Sequence, residues 1–264
     1  MAKIQNDKYY TSKKLSKYCI DKTFEIIGED NISDIIEPSA GDGSFSDQLF
    51  FCTAYDIEPE NKNIIKQDFL QLNIPYKKGR LLIGNPPYGP KMHLVVKFFK
   101  KSIELGDYVS FILPISQLDN IVSLYEFDLI YSEDLGIQEY SDRKIYCCLN
   151  IYKRSENGLN TKPKFKMNDI NIMRDAKKDY DNIDDYDIRM VYWGSGSAGK
   201  ILNRTDKRYA GEYKIKIHNE ILKDKIIEVL SNTDWHKELK TIAMLKIKQY
   251  HIYNLLKREI PEIN

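Results

Sequence analysis

Apolar and polar positions along this chain fall into two rhythms. The first is a set of short apolar runs closed by an acid, a glycine or a proline: Asp34-Ile35-Ile36-Glu37, Phe51-Cys52-Thr53-Ala54-Tyr55, Leu81-Leu82-Ile83-Gly84 and Tyr108-Val109-Ser110-Phe111-Ile112-Leu113-Pro114. Runs of this length and character predict strands, the third of them buried. The second rhythm is helical. Leu94 to Leu105 reads as a helix. Asn219 to Leu230 carries Ile221, Leu222, Ile226, Ile227 and Leu230 at helical spacing, and Ile242 to Leu256 repeats the stripe after a possible cap at Thr233-Asp234. Both stripes are read as core. Between the two regions, Tyr213-Lys214-Ile215-Lys216-Ile217 alternates as an amphipathic strand does.

Chemistry clusters where the early strands end. The first strand leads into Glu37-Pro38-Ser39-Ala40-Gly41-Asp42-Gly43-Ser44-Phe45, a glycine turn after which a helix is expected to open at Ser44 or Ser46. Because the strand ends in an acid, the turn suits a ligand's amino group better than a pyrophosphate. The second strand ends at Asp56, followed by Ile57-Glu58-Pro59; an acid there is where a doubly wound fold binds ribose hydroxyls. Asp68-Phe69 places an acid and an aromatic side by side at the next strand end, a pair able to bond and cover an adenine ring. The run Leu81–Gly84 opens directly onto Asn85-Pro86-Pro87-Tyr88. That tetrapeptide offers an amide oxygen, rigid carbonyls and a flat ring at one point, a set suited to holding a planar amino group. Each of these pieces alone has a bland reading as a turn or a loop acid; their order along the chain is what carries weight.

In that order the motifs resemble those of S-adenosylmethionine-dependent amino-methyltransferases, and among them the γ-type DNA adenine-N6 methyltransferases. Asp7-Lys8-Tyr9-Tyr10-Thr11-Ser12-Lys13-Lys14-Leu15 is similar to the motif that precedes the glycine turn in that family, with Thr11-Ser12 where the family usually has Thr-Pro. Lys144-Ile145-Tyr146-Cys147-Cys148-Leu149-Asn150-Ile151-Tyr152 resembles its late hairpin strand, so the likeness spans roughly residues 7 to 154. It implies an α/β fold: a Rossmann-like seven-stranded methyltransferase sheet, with a smaller C-terminal α+β recognition domain. It also implies S-adenosyl-L-methionine as cofactor. Thr11 and Tyr10 would hold its carboxylate end, Glu37 its amino end, and Ser39, Ala40, Gly41 and Gly43 the floor. Asp56 would take the ribose, Ile57 would pack on the adenine, and Asp68 and Phe69 would bind and cover that ring. Asn85, Pro86, Pro87 and Tyr88 would be the catalytic residues, Asn85 and Pro86 binding the target amine and Tyr88 stacking on the base, with Asn85 also contacting the cofactor. Tyr146 would form a second wall of the base pocket, with Ile145 or Tyr140 as alternatives.

The expected reaction follows from the target. An adenine N6 lone pair is delocalised into its ring, and two acceptors on its N–H groups favour a pyramidal nitrogen and stabilise the positive charge that develops. In duplex DNA the base must be flipped out to be reached. An RNA adenine-N6 methyltransferase, a protein-glutamine methyltransferase, a cytosine-N4 enzyme and a non-catalytic nucleic-acid-binding subunit are the competing readings. Asn85 favours adenine over cytosine, where the family typically has serine.

The chain has 264 residues and a net charge of +1. That length leaves room for a catalytic domain over residues 1–158 and a target-recognition domain over 159–264, divided at the polar stretch Arg154-Ser155-Glu156-Asn157-Gly158-Leu159-Asn160. A restriction endonuclease, if one partners it, is expected to be a separate protein. Four cysteines without a Cys-x-x-Cys spacing predict neither a disulfide framework nor a metal site and suit the cytoplasm. No signal peptide and no membrane span are expected. His236 and His251 lack the companions of a ligand set and are read as structural. Nucleic-acid contacts are expected from Lys144, from Trp193, Ser195 and Lys200 around a Gly/Ser loop, and from Arg204, Lys207 and Arg208.

Overall fold

A computed structural model describes residues 10–140, 143–175, 185–194, 196–239 and 245–264. The chain divides into two compact units, Met1–Pro163 and Lys164–Asn264. The division falls a few residues beyond the polar stretch, whose Asn157-Gly158 turn is closed by a bridge between Ser155 and Gly158.

The first unit is built on seven strands: β1 (Asp34–Glu37), β2 (Cys52–Asp56), β3 (Ile65–Lys66), β4 (Arg80–Gly84), β5 (Tyr108–Pro114), β6 (Asp128–Tyr140) and β7 (Arg143–Lys153). Their order in the sheet is β3-β2-β1-β4-β5-β7-β6. The first five are parallel, and β7 is antiparallel to both β5 and β6. This is the Rossmann-like α/β sheet expected from the sequence. Helix α1 (Lys13–Ile27) covers one face and α2 (His93–Leu105) the other. With both faces covered, apolar side chains point both ways from the central strands, which is why they read as continuous rather than alternating runs. On β4, Leu81 and Ile83 pack with Ile20 of α1, while Leu82 packs with Phe99 of α2. On β5, Ile112 joins the α1 side and Val109, Phe111 and Leu113 the α2 side. Each buried Leu or Ile contributes roughly 1.5–3 kcal/mol by leaving water.

The sequence order reverses between β1 and β4, because β2 lies outside β1 and β5 outside β4. A crevice at the carboxyl ends of strands at such a switch point is where open α/β sheets bind ligands. Glu37 closes β1 and Asn85 follows β4, so both fall at that point.

One expectation fails here. No α-helix opens at Ser44 or Ser46; the segment makes a single 3-10 turn, Ser46–Gln48, and re-enters the sheet at Cys52. The chain returns beside β1 through this one turn, and Cys52 pairs with Ile35. The Ser46 N–H donates to Glu37 Oε2 at 2.8 Å rather than starting a helix. Phe51, expected in the strand, stands outside it at φ 59° and is exposed.

The second unit is α+β. Its strands β8 (Ile170–Asp175), β9 (Ile188–Val191), β10 (Ile201–Leu202) and β11 (Glu212–Ile217) form an antiparallel sheet in the order β10-β9-β11-β8. Helices α3 (Lys223–Asn232), α4 (Trp235–Glu238) and α5 (Gln249–Glu259) complete it. Ile172, Met190, Ile215 and Ile217 from the strands pack with Ile226, Leu230, Ile252 and Leu256 from the helices. Asp234 caps α4 by accepting from His236 N and Lys237 N, as its place in the sequence suggested. The opposite sheet face holds charge: Arg189 makes a two-pronged pair with Glu212 at 3.0 and 3.1 Å, and both are almost fully buried.

Candidate active site

At the switch point the first unit encloses a cavity of about 290 Å³. Six separate stretches of chain line it. Tyr10 and Thr11 come from the segment before α1, Glu37 and Ser39 to Gly41 from the glycine turn, Asp56 and Ile57 from the end of β2, and Asp68 and Phe69 from the turn after β3. Asn85 and Pro87 approach from the end of β4. Sequence reading missed several liners. Leu94 and Phe98 belong to α2, where they read only as an apolar stripe, and Asp42 and Ser44 lie inside the glycine motif itself.

The glycine turn is held open by backbone geometry. Gly41 has φ 56°, and a β-carbon there would meet the Tyr10 ring at 3.6 Å. Gly43 has φ 94°, and a β-carbon would meet Asp47 at 3.1 Å and Asn61 at 3.2 Å; it supports the turn from outside the cavity lining. A G43A variant is expected to lose about 1–2 kcal/mol through the left-handed backbone alone. Urea unfolding would show this as a lower midpoint with an unchanged slope.

The acids are fixed before any ligand arrives. Asp56 accepts the Gly41 N–H and the Glu58 N–H, both at 2.8 Å, which aims its carboxylate between the glycine turn and the loop after β2. Asp68 accepts the Leu70 N–H at 2.9 Å, with Phe69 beneath it stacked 5.2 Å from Phe98. The Tyr10 hydroxyl donates to the Glu60 carboxylate, and this bond first, then burial, pushes its phenol up to about 12. Glu37 is 2% exposed, and burial pushes its carboxyl from 4.5 up to about 7 against the opposing pull of its bonds to Ser46.

Asn85 is the most unusual group. Its Nδ2 donates to Thr11 Oγ1 at 3.2 Å, and its backbone oxygen accepts from Ser39 Oγ at 3.2 Å. Its Oδ1 is buried and, among the described residues, has no hydrogen-bond partner. A buried amide oxygen without a partner costs about 1–3 kcal/mol, and this one belongs to a residue that lines the cavity. Thr11, read from the sequence as a cofactor contact, accepts from this amide instead.

Other expected site residues lie elsewhere. Pro86 and Tyr88 are buried and do not line the cavity. Tyr88 sits in the core at 7% exposure with its hydroxyl 3.9 Å from Cys147 Sγ, and the Tyr140 hydroxyl is 3.5 Å from the same sulfur. Burial drives the Tyr88 phenol well above its ordinary range. Tyr146 is outside the lining, its hydroxyl donating to Asp134 Oδ2 at 2.8 Å across the β6–β7 hairpin, and Lys144 pairs with Glu139 at 2.8 Å. In the second unit Arg208 is tied to the buried Asp175, which also holds Lys214 at 3.3 Å. Arg204 lies over the Tyr186 ring at 4.9 Å. These cations are engaged by the fold because the buried face of the second sheet needs counter-charges, a demand invisible in the linear sequence. Lys200 and Lys207 are exposed, Trp193 is half-exposed, and Ser195 lies outside the described residues.

No protein-family model matches the chain, and no curated protein matches it. Solved structures that resemble parts of it include the following three. A candidate RNA methyltransferase from Pyrococcus horikoshii aligns at 14% identity over 58% of this chain and 89% of its own, with a TM-score of 0.46. A Thermoplasma acidophilum protein aligns at 20% identity over 58% of this chain and 93% of its own, with a TM-score of 0.42. An S-adenosylmethionine-dependent methyltransferase from Clostridium acetobutylicum aligns at 15% identity over 80% of this chain and 93% of its own, with a TM-score of 0.29. Similarity at this level says nothing about substrate.

Proposed function

We propose that this protein transfers the methyl group of S-adenosylmethionine to the N6 amino group of adenine in DNA. The observation that carries the reading is Asn85 Oδ1: a buried acceptor, without a partner among the described residues, beside a cavity lined by Glu37, Asp56 and Asp68. The residues present fit that cofactor. Glu37 offers a carboxylate to an ammonium, Asp56 to a ribose diol, and Asp68 with Phe69 an acceptor and an apolar face to an adenine. When bound, the cofactor supplies an electrophilic methyl group on a sulfonium.

The chain's own part is positioning. Asn85 Oδ1 accepts one N–H of the target amine, and the Pro86 carbonyl is the second acceptor once the turn brings it to the cavity, which Pro86 does not line here. Thr11 holds the Asn85 amide by accepting from its Nδ2 at 3.2 Å. Two acceptors on one amine favour a pyramidal nitrogen and stabilise the charge it gains during attack. Holding nitrogen and methyl in line supplies much of the remaining acceleration. For Tyr88 to stack on a flipped base, its ring must leave its contact with Cys147. In this reading the first unit carries the chemistry and the second grips the nucleic acid.

The test is a transfer assay with labelled S-adenosylmethionine on unmethylated duplex DNA, single-stranded DNA and total RNA, followed by nucleoside mass spectrometry. N6-methyladenine in duplex DNA is the expected product. Label confined to RNA would keep the catalytic reading and change the substrate. Absence of label in a protein that still binds the cofactor would favour a binding subunit or a protein substrate.

A further inference from the structure

Residues 245–248 run beside the end of β9. The Ile247 N–H donates to the Tyr192 carbonyl at 2.8 Å, the Gly194 N–H donates to the Leu245 carbonyl at 3.3 Å, and Trp193 faces Lys246 across an antiparallel bridge. Residues opposed in such a bridge put their side chains on the same side, and an extended chain alternates sides. Leu245 and Ile247 accordingly enter the core, at 2% and 0% exposure. Trp193, Lys246 and Lys248 then project together from the opposite side. Both lysines are exposed, and the indole is 47% exposed.

These two lysines differ from the cations of the unit that the fold has committed to carboxylates. Arg189, Arg208, Lys214 and Lys223 each hold a carboxylate. Among the described residues, Lys246 and Lys248 hold none. The Lys248 ammonium lies 5.3 Å from the centre of the Tyr250 ring, and its pKa is held below the ordinary lysine value by desolvation first and by Lys246 second. Two ammonium groups that repel each other and lack a counter-charge gain most from an external anion. A large aromatic beside them adds a surface on which a sugar or an unstacked base can pack.

We propose that Trp193, Lys246 and Lys248 form a contact surface for the sugar–phosphate backbone of duplex DNA. The lysines neutralise phosphates, and the indole packs against the strand between them. The choice of DNA as occupant rests on the proposed function above; the preference for a polyanion rests on the geometry.

Fluorescence anisotropy of a labelled duplex, measured over a series of salt concentrations, tests this. The variants are Lys246→Ala/Lys248→Ala, Lys246→Gln/Lys248→Gln and Trp193→Ala, each checked for an unchanged thermal melt, with Lys200→Ala/Lys207→Ala for comparison. Removing one lysine that neutralises a phosphate flattens the plot of log affinity against log salt by about 0.9. Both double variants at 246 and 248 are therefore expected to be shallower by about 2 and roughly tenfold weaker at moderate salt. Trp193→Ala is expected to weaken binding with the slope unchanged. Wild-type slope and affinity in the 246/248 variants would overturn the proposal, even if the wild-type protein methylates DNA. A lysine-dependent slope in a protein that transfers no methyl group would uphold this surface while the catalytic reading fails. Lysine-dependent binding of RNA alone, or no binding of either polymer, would overturn the assignment of duplex DNA.

Discussion

Replacing Asn85 by alanine is expected to slow methyl transfer by roughly 100- to 1000-fold, the usual cost of removing one preorganised polar group from a transition state. The loss should fall on kcat. Asn85 Oδ1 is buried and partnerless before the substrate arrives, so the substrate amine meets an acceptor that needs no rearrangement. The acceptor matters most when the nitrogen gains charge, which is why removing it should affect the transition state more than substrate binding. Cofactor affinity, read by calorimetry, should change only a few-fold, because Glu37, Asp56 and Asp68 come from other stretches of chain and keep their own backbone bonds. Thr11→Val supplies a finer check. It removes the Asn85 Nδ2 partner while leaving Asn85 in place, and so should give a smaller fall in kcat. An N85A protein with wild-type kcat would remove the central premise of the proposed mechanism. An N85A protein that no longer binds cofactor would instead make Asn85 a cofactor ligand.

Much of the first unit was legible because its signals are local. Apolar runs such as Leu81–Gly84 and Tyr108–Pro114 end in residues with sharp conformational demands, so strand, terminus and turn can be read together. That Glu37, Asp56, Asp68 and Asn85 meet around one cavity follows from the strand order, since parallel strands place their carboxyl ends along one edge. What was not legible depends on partners distant in sequence. A helix after Gly43 was plausible from its serines, but the Ser46 N–H bonds to Glu37 and the segment makes only a 3-10 turn. Tyr88 looked like a ring open to a stacking base, yet Cys147, on a strand contributed much later, lies by its hydroxyl. Arg208 looked like a phosphate contact, but Asp175 needs it. Lys246 and Lys248 lay within what read as a helical stripe. Only their pairing with the chain around Trp193 shows an extended segment with two cations on one side.

Glu37 makes the site a pH-sensitive one, with a sign that can be worked out. Its carboxyl titrates at about 7 in the folded protein and near 4.5 in an unfolded chain, because burial disfavours the charged form. Below about pH 4.5 both states are protonated and folding carries no penalty from this group. Between about 4.5 and 7 the unfolded chain has lost its proton while the folded protein keeps it, so stability falls as pH rises. Above about 7 both are ionised and the penalty levels off at on the order of 3 kcal/mol. E37Q is expected to remove this slope and to be the more stable protein at pH 8 in urea unfolding, although it should bind cofactor worse. An ammonium docking beside Glu37 favours the carboxylate, so binding below about pH 7 must expel its proton. Affinity for S-adenosylmethionine should therefore fall toward tenfold per unit as pH drops below about 7, with a proton released on binding. Calorimetry at about pH 6.5 in two buffers of different ionisation enthalpy should show release of half to one proton per site in the wild type and none in E37Q. Proton release that persists in E37Q would assign the titration to another group. A wild-type affinity that stays flat from about pH 5.5 to 8 would place the cofactor's ammonium away from Glu37.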